Sequence, residues 1–477
     1  MLLRYYFAFM ILVLILLLQA ATNDEFVHWF IIPVFLCGMT AAIDVVNWLS
    51  GKFLLFDPAG LLGIFSLHFF FLAPIMHVNA GYWLPYVFTT VDDWRPWVGG
   101  MAFLNFVGLI IYRIFRNGNF TQKNATLWEL NKKQFLMLAG IALFVSGLLQ
   151  AYVYFISGGI LGYIRLYTES RESFNGMGWI FMLSESFPIL ALMAYVIWAQ
   201  DKKWVKKWAV IFLVLVVFFL LKLLFGGLRG SRSNTIWGLI WAVGIIHIWI
   251  RPFTKKILIL ALIPLVLFMY IYGFYKAAGL DGLSAFLQGG TARQAVESQN
   301  NRGLETTLLG DLGRTDVQAY LLYQAFHNTS YEYALGRTYV GTLCLLIPSF
   351  IWQDRPQTKV KEGTQILYEI ESSSYTGSIT SSRIYGLAGE TLLNYGWAAI
   401  PFSFILLGIY VRRIRCLLLK LKQCDARLLV YPFLMTTCLL LLGSDSDNML
   451  FIFIKNGFLP FLVIFLSSNR YKISNRM

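Results

Sequence analysis

Charge is scarce in this sequence: of 477 residues only 13% are Asp, Glu, Lys or Arg, with 25 acidic residues against 39 basic ones. Hydrophobic residues make up 58%. A soluble chain of this length has too little interior for so many apolar side chains, which excludes a soluble enzyme. Cysteine is sparse too. Cys37, Cys344, Cys416, Cys424 and Cys438 form no CxxC pair, and all but Cys344 fall in or beside apolar stretches or a basic loop, so no disulfide framework is expected. His28, His68, His77, His247 and His327 form no HxxH, HExxH or DxD-like metal cluster, so no metal is expected. Walker and dinucleotide-binding fingerprints are missing as well, and no nucleotide or other cofactor is expected.

Long apolar runs are what remains. A bilayer-spanning helix needs roughly 20 apolar residues, because backbone groups in lipid must be bonded internally. Twelve segments qualify: 5–21, 26–47, 60–80, 97–115, 134–156, 177–199, 208–225, 232–250, 257–274, 385–410, 428–443 and 449–467. The sequence therefore predicts an all-α polytopic membrane protein. It divides into nine spans over 1–274, a polar stretch 275–384 read as a folded extramembrane loop, and three spans with a tail over 385–477. Leu18-Gln19-Ala20 loosely fits a cleavage site, but the first span is expected to be retained.

The basic excess lies mostly on one side of these spans: Arg113, Arg116, Lys132 and Lys133, then Lys202 to Lys207, then Arg412, Arg413, Arg415, Lys420, Lys422 and Arg427. Short cytoplasmic loops retain positive charge, so both termini are predicted to be cytoplasmic and the long loop outside, with the lipid bilayer rather than nucleic acid as partner. Arg95, Arg165, Arg171, Arg229 and Arg232 run against this trend in short outward loops. Arg229 and Arg232 lie in the turn Gly226-Gly227-Leu228-Arg229-Gly230-Ser231-Arg232, where glycines let the backbone bend and Ser231 is placed to cap the next helix. Two guanidinium groups three residues apart suit a diphosphate; the alternative is a hairpin whose arginines snorkel to headgroups. Further outward arginines include Arg314, Arg337 and Arg383, against which stand internal pairs with residues such as Asp311 and Glu332.

Within 275–384, Leu308, Leu312, Ala319, Leu322 and Phe326 recur at helical spacing while Asp311, Arg314 and Gln318 take another face, predicting an amphipathic helix on the membrane surface or over a cavity. The hydroxyl-rich run 372–382 suits sugar binding or a flexible linker, and leads into Glu390, Asn394 and Gly396. Asp44, Glu185, Lys222 and Lys455 sit in or near spans, where charge is costly; each lies close to a predicted span end, so snorkelling competes with function.

Several short motifs together resemble the Wzy-type O-antigen and exopolysaccharide repeat-unit polymerases. They are the Arg229 and Arg232 turn, Ser157-Gly158-Gly159 with Tyr163, Arg314-Thr315-Asp316, Gly336-Arg337-Thr338, the segment Ile347 to Pro356, and Gly389-Glu390 with Asn394-Tyr395-Gly396. The chain departs at Arg355, where the family pattern places a lysine before the proline. The resemblance implies a GT-C-like fold of about twelve transmembrane helices in a bacterial inner membrane, with one large outward loop carrying amphipathic helices. It further implies metal-independent glycosyl transfer between undecaprenyl-diphosphate-linked oligosaccharides, with a chain-length regulator as a candidate partner. On this reading Arg229, Arg232, Arg314, Arg337 and Arg383 hold diphosphate, and Asp311, Asp316 or Glu390 receives the acceptor's proton. A lipid-linked oligosaccharide flippase or an O-antigen ligase are the alternatives.

Overall fold

The computed structural model describes residues 2–84, 90–118, 126–169, 174, 176–300, 303–328, 331–347, 351–352, 355–356, 358–359, 362–363, 367, 383–422 and 425–472. Its principal helices, in chain order, begin with α1 (Leu2–Thr22), α2 (Ile31–Leu49), α3 (Pro58–Ala80) and α4 (Arg95–Arg116). After strand β1 (Thr126–Leu130) come α5 (Lys132–Ile156), α6 (Gly159–Glu169), α7 (Gly178–Ser184), α8 (Phe187–Ala199), α9 (Trp208–Leu224) and α10 (Arg232–Trp249). The remainder comprises α11 (Lys255–Gln288), α12 (Gly290–Asn300), α13 (Thr315–His327), α14 (Arg337–Cys344), α15 (Gly386–Tyr395), α16 (Ile400–Lys420), α17 (Tyr431–Gly443), α18 (Ser446–Ser467) and strand β2 (Ser468–Lys472).

Among the described residues eight helices are long and apolar enough to cross a bilayer: α1 to α5, the α7–α8 pair, α11 and α18; α9 and α17 are shorter apolar helices. The protein is thus an all-α protein with membrane-length helices. Their outer faces fit that solvent. On α5, Met137, Ile141, Phe144, Leu148, Tyr152 and Phe155 are all exposed at helical spacing, an apolar stripe that lipid rather than water would cover.

Two predicted spans need correction. The segment 385–410 is not one helix: it breaks at Gly396, whose φ of 83° is a left-handed conformation, into the ten-residue α15 and the separate α16. The ninth span runs on to Gln288 through a kink at Ala278 and Gly279.

The chain divides into two compact units. The first holds residues 1–119, 308–415 and 437–450; the second holds 120–307, 416–436 and 451–477. Residues 275–307 therefore group with the second unit and 308–384 with the first.

In the first unit α2 and α3 lie close because Gly60 meets Trp48, and Gly63 meets Asp44, at distances no Cβ could share. Asp57 caps α3 through the Ala59 N–H at 2.9 Å and takes Arg415 in two-pronged fashion. Asp44 is likewise gripped by Arg116 at 2.6 and 3.1 Å, so its charge is spent in a buried pair rather than snorkelling. The predicted surface helix is different from expectation. It starts only at Thr315, after a π-turn over Thr306–Asp311, and Asp316, Val317, Gln318, Ala319, Tyr320, Leu321, Leu322 and Gln324 are all buried. Its polar face is turned inward because Gln318 donates to the Tyr385 carbonyl at 2.7 Å and Gln324 donates to the Tyr320 hydroxyl at 2.7 Å.

In the second unit β1 and β2 form an antiparallel ribbon, with Trp128 opposite Arg470. The α7–α8 pair is interrupted at Glu185 and Ser186, since Pro188 lacks the N–H that would continue the ladder. A π-turn over Phe453–Gly457 interrupts α18. Such an extra residue rotates side chains off the regular helical face.

Candidate functional site

Two buried polar clusters stand out, one in each unit. The cluster of the second unit is built where helices break. Glu185 comes from the α7–α8 interruption, Lys222 from the last turn of α9, Arg229 from the following turn, Asn234 from the start of α10, and Lys455 and Asn456 from the π-turn of α18. Glu185 is 1% exposed and accepts from Arg229 at one oxygen and from Asn234 Nδ2 at the other, at 2.5 Å. Lys455 Nζ lies 3.6 Å from the same oxygen that Arg229 holds. Lys222 donates to Asn456 Oδ1 at 2.5 Å, and Asn456 in turn donates to Asn234 Oδ1 at 2.8 Å. Among the described residues two cations thus face one carboxylate, and a third, Lys222, bonds the Glu185 backbone carbonyl at 3.4 Å.

That imbalance matters because buried charge in a low-dielectric setting is costly unless matched. The burial of Glu185 and Lys222, and their bonds to each other's partners, also remove the snorkelling alternative for these two. Room for Lys222 depends on Gly238, where a Cβ would stand 2.5 Å from Lys222 Cε. Arg229 is held from its other side by the Phe181 ring, 3.5 Å from the guanidinium carbon. Tyr163 packs beside Phe181 in the same aromatic group.

The turn over 226–231 is clamped by tyrosines. Tyr154 donates to the Leu224 carbonyl, Tyr272 to that of Gly227 and Tyr275 to that of Leu228. Gly230, at φ 77°, has Tyr167 so close that no side chain would fit. The expected Ser231 cap is absent in detail: Ser231 occupies the N-cap position of α10 but makes no side-chain cap bond. Arg232, the first residue of α10, is buried. The turn thus presents Arg229 to the Glu185 carboxylate.

The first unit's cluster gathers around Glu390. Its carboxylate accepts from Thr338 Oγ1 at 3.0 Å, the Ser446 N–H at 2.7 Å and Ser446 Oγ at 2.6 Å. Asn394 bonds Thr338 at 2.7 Å and receives the Gly336 N–H at 2.9 Å, tying α14 to α15. Next to it, Asp445 accepts the Tyr385 and Gly386 N–H groups at 2.9 and 2.8 Å and pairs with Lys359. Asp447 lies 3.9 Å from Lys359. Burial, reinforced by the nearby Asp445 carboxylate, pushes the Glu390 carboxyl up to about 7 against the lowering pull of its hydrogen bonds.

Sequence reasoning placed Glu390 at a helix N-terminus; it is the fifth residue of α15, and Asp445 takes the terminal N–H groups instead. The sequence signal for Asp445 and Asp447 is Gly443-Ser444-Asp445-Ser446-Asp447, a polar interruption between two apolar runs with an alternating acidic spacing. Lys359 stands where a cation would sit between those two carboxylates. Among the described residues no three His, Cys, Asp or Glu side chains are grouped to hold a metal ion.

The other predicted residues have local roles. Arg314 donates to the carbonyls of Gly310 at 3.2 Å and Asp311 at 3.0 Å, closing the turn that precedes α13. Asp316 accepts the Val317 N–H at 2.8 Å in the first turn of α13. Arg337 is over half exposed and pairs with Glu362 at 3.1 Å. Arg383 contributes its carbonyl to Lys359 at 2.9 Å. Arg171 and the hydroxyl-rich run 372–382 lie outside the described residues. No family model, curated protein or solved structure matches the chain.

Proposed function

We propose that this protein is a membrane glycosyltransferase of the Wzy-type polymerase kind, joining undecaprenyl-diphosphate-linked oligosaccharide repeat units into O-antigen or exopolysaccharide. The observation that carries the reading is the cation excess around Glu185: Arg229 and Lys455 on its carboxylate, with buried Lys222 on its backbone carbonyl. An anionic ligand such as a lipid diphosphate would restore the balance, and fixed guanidinium and ammonium groups stabilise a departing diphosphate without a divalent metal. In this scheme the growing chain's anomeric carbon is attacked by a hydroxyl of the incoming unit. The bond to the diphosphate oxygen breaks, and the hydroxyl proton passes to a carboxylate. Asp311, Asp316 and Glu390 remain the candidates for that carboxylate; of these, burial raises the Glu390 carboxyl to about 7, toward the proton affinity that acceptance from a hydroxyl requires.

The same proposal includes twelve spans in a GT-C-like arrangement, both termini cytoplasmic in a bacterial inner membrane, and Arg232, Arg337 and Arg383 as further diphosphate contacts. Incubating the purified protein with its lipid-linked repeat unit in chelator tests it. A ladder of lengthening products supports the reading, and unchanged substrate from folded protein defeats it.

A second reading, as a lipid-linked oligosaccharide transporter, is favoured by one feature: the Glu185 cluster is made from interrupted helices, the device transporters use for ion and substrate sites. Movement of intact substrate across proteoliposome membranes, with no ladder, would select it.

A further inference from the structure

The second unit contains an apolar cavity of about 450 Å³ that neither cluster uses. It falls within the roughly 300–1,000 Å³ range of small-molecule sites. Leu417, Leu434, Phe453, Phe461, Phe465 and Trp128 line it, and Arg427 is the one charged residue among its lining.

The charge at its mouth is arranged unequally. Arg427 is already matched, donating to both oxygens of the buried Asp425 at 2.9 and 2.7 Å. Arg470 is not: among the described residues it makes no ion pair, and its guanidinium lies 4.6 Å from the Trp128 ring centre and 4.0 Å from that of Phe465. The ribbon holds it there, since Trp128 and Arg470 are paired residues.

An apolar slot with a tryptophan and a cation at its rim has the layering of a membrane interface: hydrocarbon below, aromatic ring at headgroup level, positive charge above. Basic edges of this kind attract the phosphate of anionic lipids. We propose that the cavity holds an acyl chain of an anionic phospholipid whose phosphate pairs with Arg470. Phe453, which lines the cavity, is also the first residue of the π-turn that carries Lys455 and Asn456. A bound chain therefore braces the segment that presents those groups. This inference does not depend on the enzymatic reading.

The test uses the purified full chain in detergent, delipidated and then offered phosphatidylglycerol, phosphatidylcholine or undecaprenyl phosphate, with bound lipid counted by native mass spectrometry. Wild type is expected to bind phosphatidylglycerol in preference to the other two. Leu462→Trp, at a cavity-lining position two-fifths exposed and so tolerant of a larger ring, should lose the bound lipid while eluting as a folded monodisperse species. Arg470→Gln, on the exposed rim, should keep lipid binding but lose the preference for phosphatidylglycerol over phosphatidylcholine. Equal binding of the two phospholipids by wild type overturns the proposal, as does a preference for undecaprenyl phosphate. An unaltered preference in Arg470→Gln does so too, even if Leu462→Trp fails to fold.

Discussion

The two buried clusters are near opposites. Around Glu185 two cations, Arg229 and Lys455, share one carboxylate while Lys222 bonds the Glu185 backbone carbonyl; around Lys359 three carboxylates, Asp445, Asp447 and Glu390, stand with one lysine. The first is assembled from helix interruptions and closed by asparagines; the second is assembled from short helix ends and closed by hydroxyls and backbone N–H groups. A surplus of buried positive charge suits holding an anion. A surplus of carboxyl groups raises their proton affinity and suits taking a proton. The difference teaches that these two clusters carry opposite excesses of charge, beside balanced buried pairs such as Asp44 with Arg116 and Asp57 with Arg415.

The harshest way to break the comparison is Glu185→Leu. Removing the one carboxylate at this site among the described residues leaves Arg229 and Lys455 uncompensated, with Lys222 nearby, at a cost of about 3–5 kcal/mol by analogy with broken buried pairs. Thermal unfolding in detergent should show a large loss, and an unchanged midpoint would mean the three cations do not share one site.

Arg229→Lys sharpens the functional side. Lysine keeps the charge but loses the planar fork and most of the stacking on Phe181. On the proposed polymerase reading, polymer formation should fall by roughly 10²–10³, the usual loss for one donor at a developing anion, with little change in folded yield. Retained activity would show that point charge suffices.

Glu390→Gln probes the other cluster through pH. The carboxyl is lifted from its ordinary 4.5 to about 7, so it keeps its proton up to near neutrality and becomes an acceptor only above that. Wild-type turnover should rise as pH is raised through about 7, while the glutamine variant should be slow and flat over the same range. A parallel rise in both would assign the ionisation to another group.

The smallest effect expected is that of Gly238→Ala, whose Cβ would press on Lys222 Cε at 2.5 Å. Overpacking of this kind costs about 1–3 kcal/mol, and a flexible lysine stem can yield, so a modest drop in unfolding temperature is anticipated. Topology is checked independently by cysteine labelling: Cys344 should react from the outside and Cys416 from the inside.

Much of this was legible beforehand. Long apolar runs fix membrane-length helices because lipid offers the backbone no other partner, and ten of the twelve predicted segments meet a long or shorter apolar helix identified in the fold. The turn around Arg229 was legible for a similar reason: glycine clusters mark places where the chain must bend. Glu390 was read from the sequence as lying at a helix start; the fold places it in the middle of α15, buried against Thr338 and Ser446. Asp445 was hidden because its partners, Lys359 and the Tyr385 and Gly386 N–H groups, lie 59 to 86 positions away in the chain.

By itself, then, the sequence determined the all-α class, the apolar solvent its helices are built for and the bend at Gly226–Gly230, all of which depend on local composition and on the length of apolar runs. Tertiary structure alone decided which charges meet. Glu185, Lys222 and Lys455 looked like separate residues near span ends, and only the packing of α8, α9, α10 and α18 brings them into one network. The physical reason is that hydrophobic periodicity is set by neighbours three and four residues apart, whereas the free energy of a buried charge is set by whatever the fold places within a few ångströms of it.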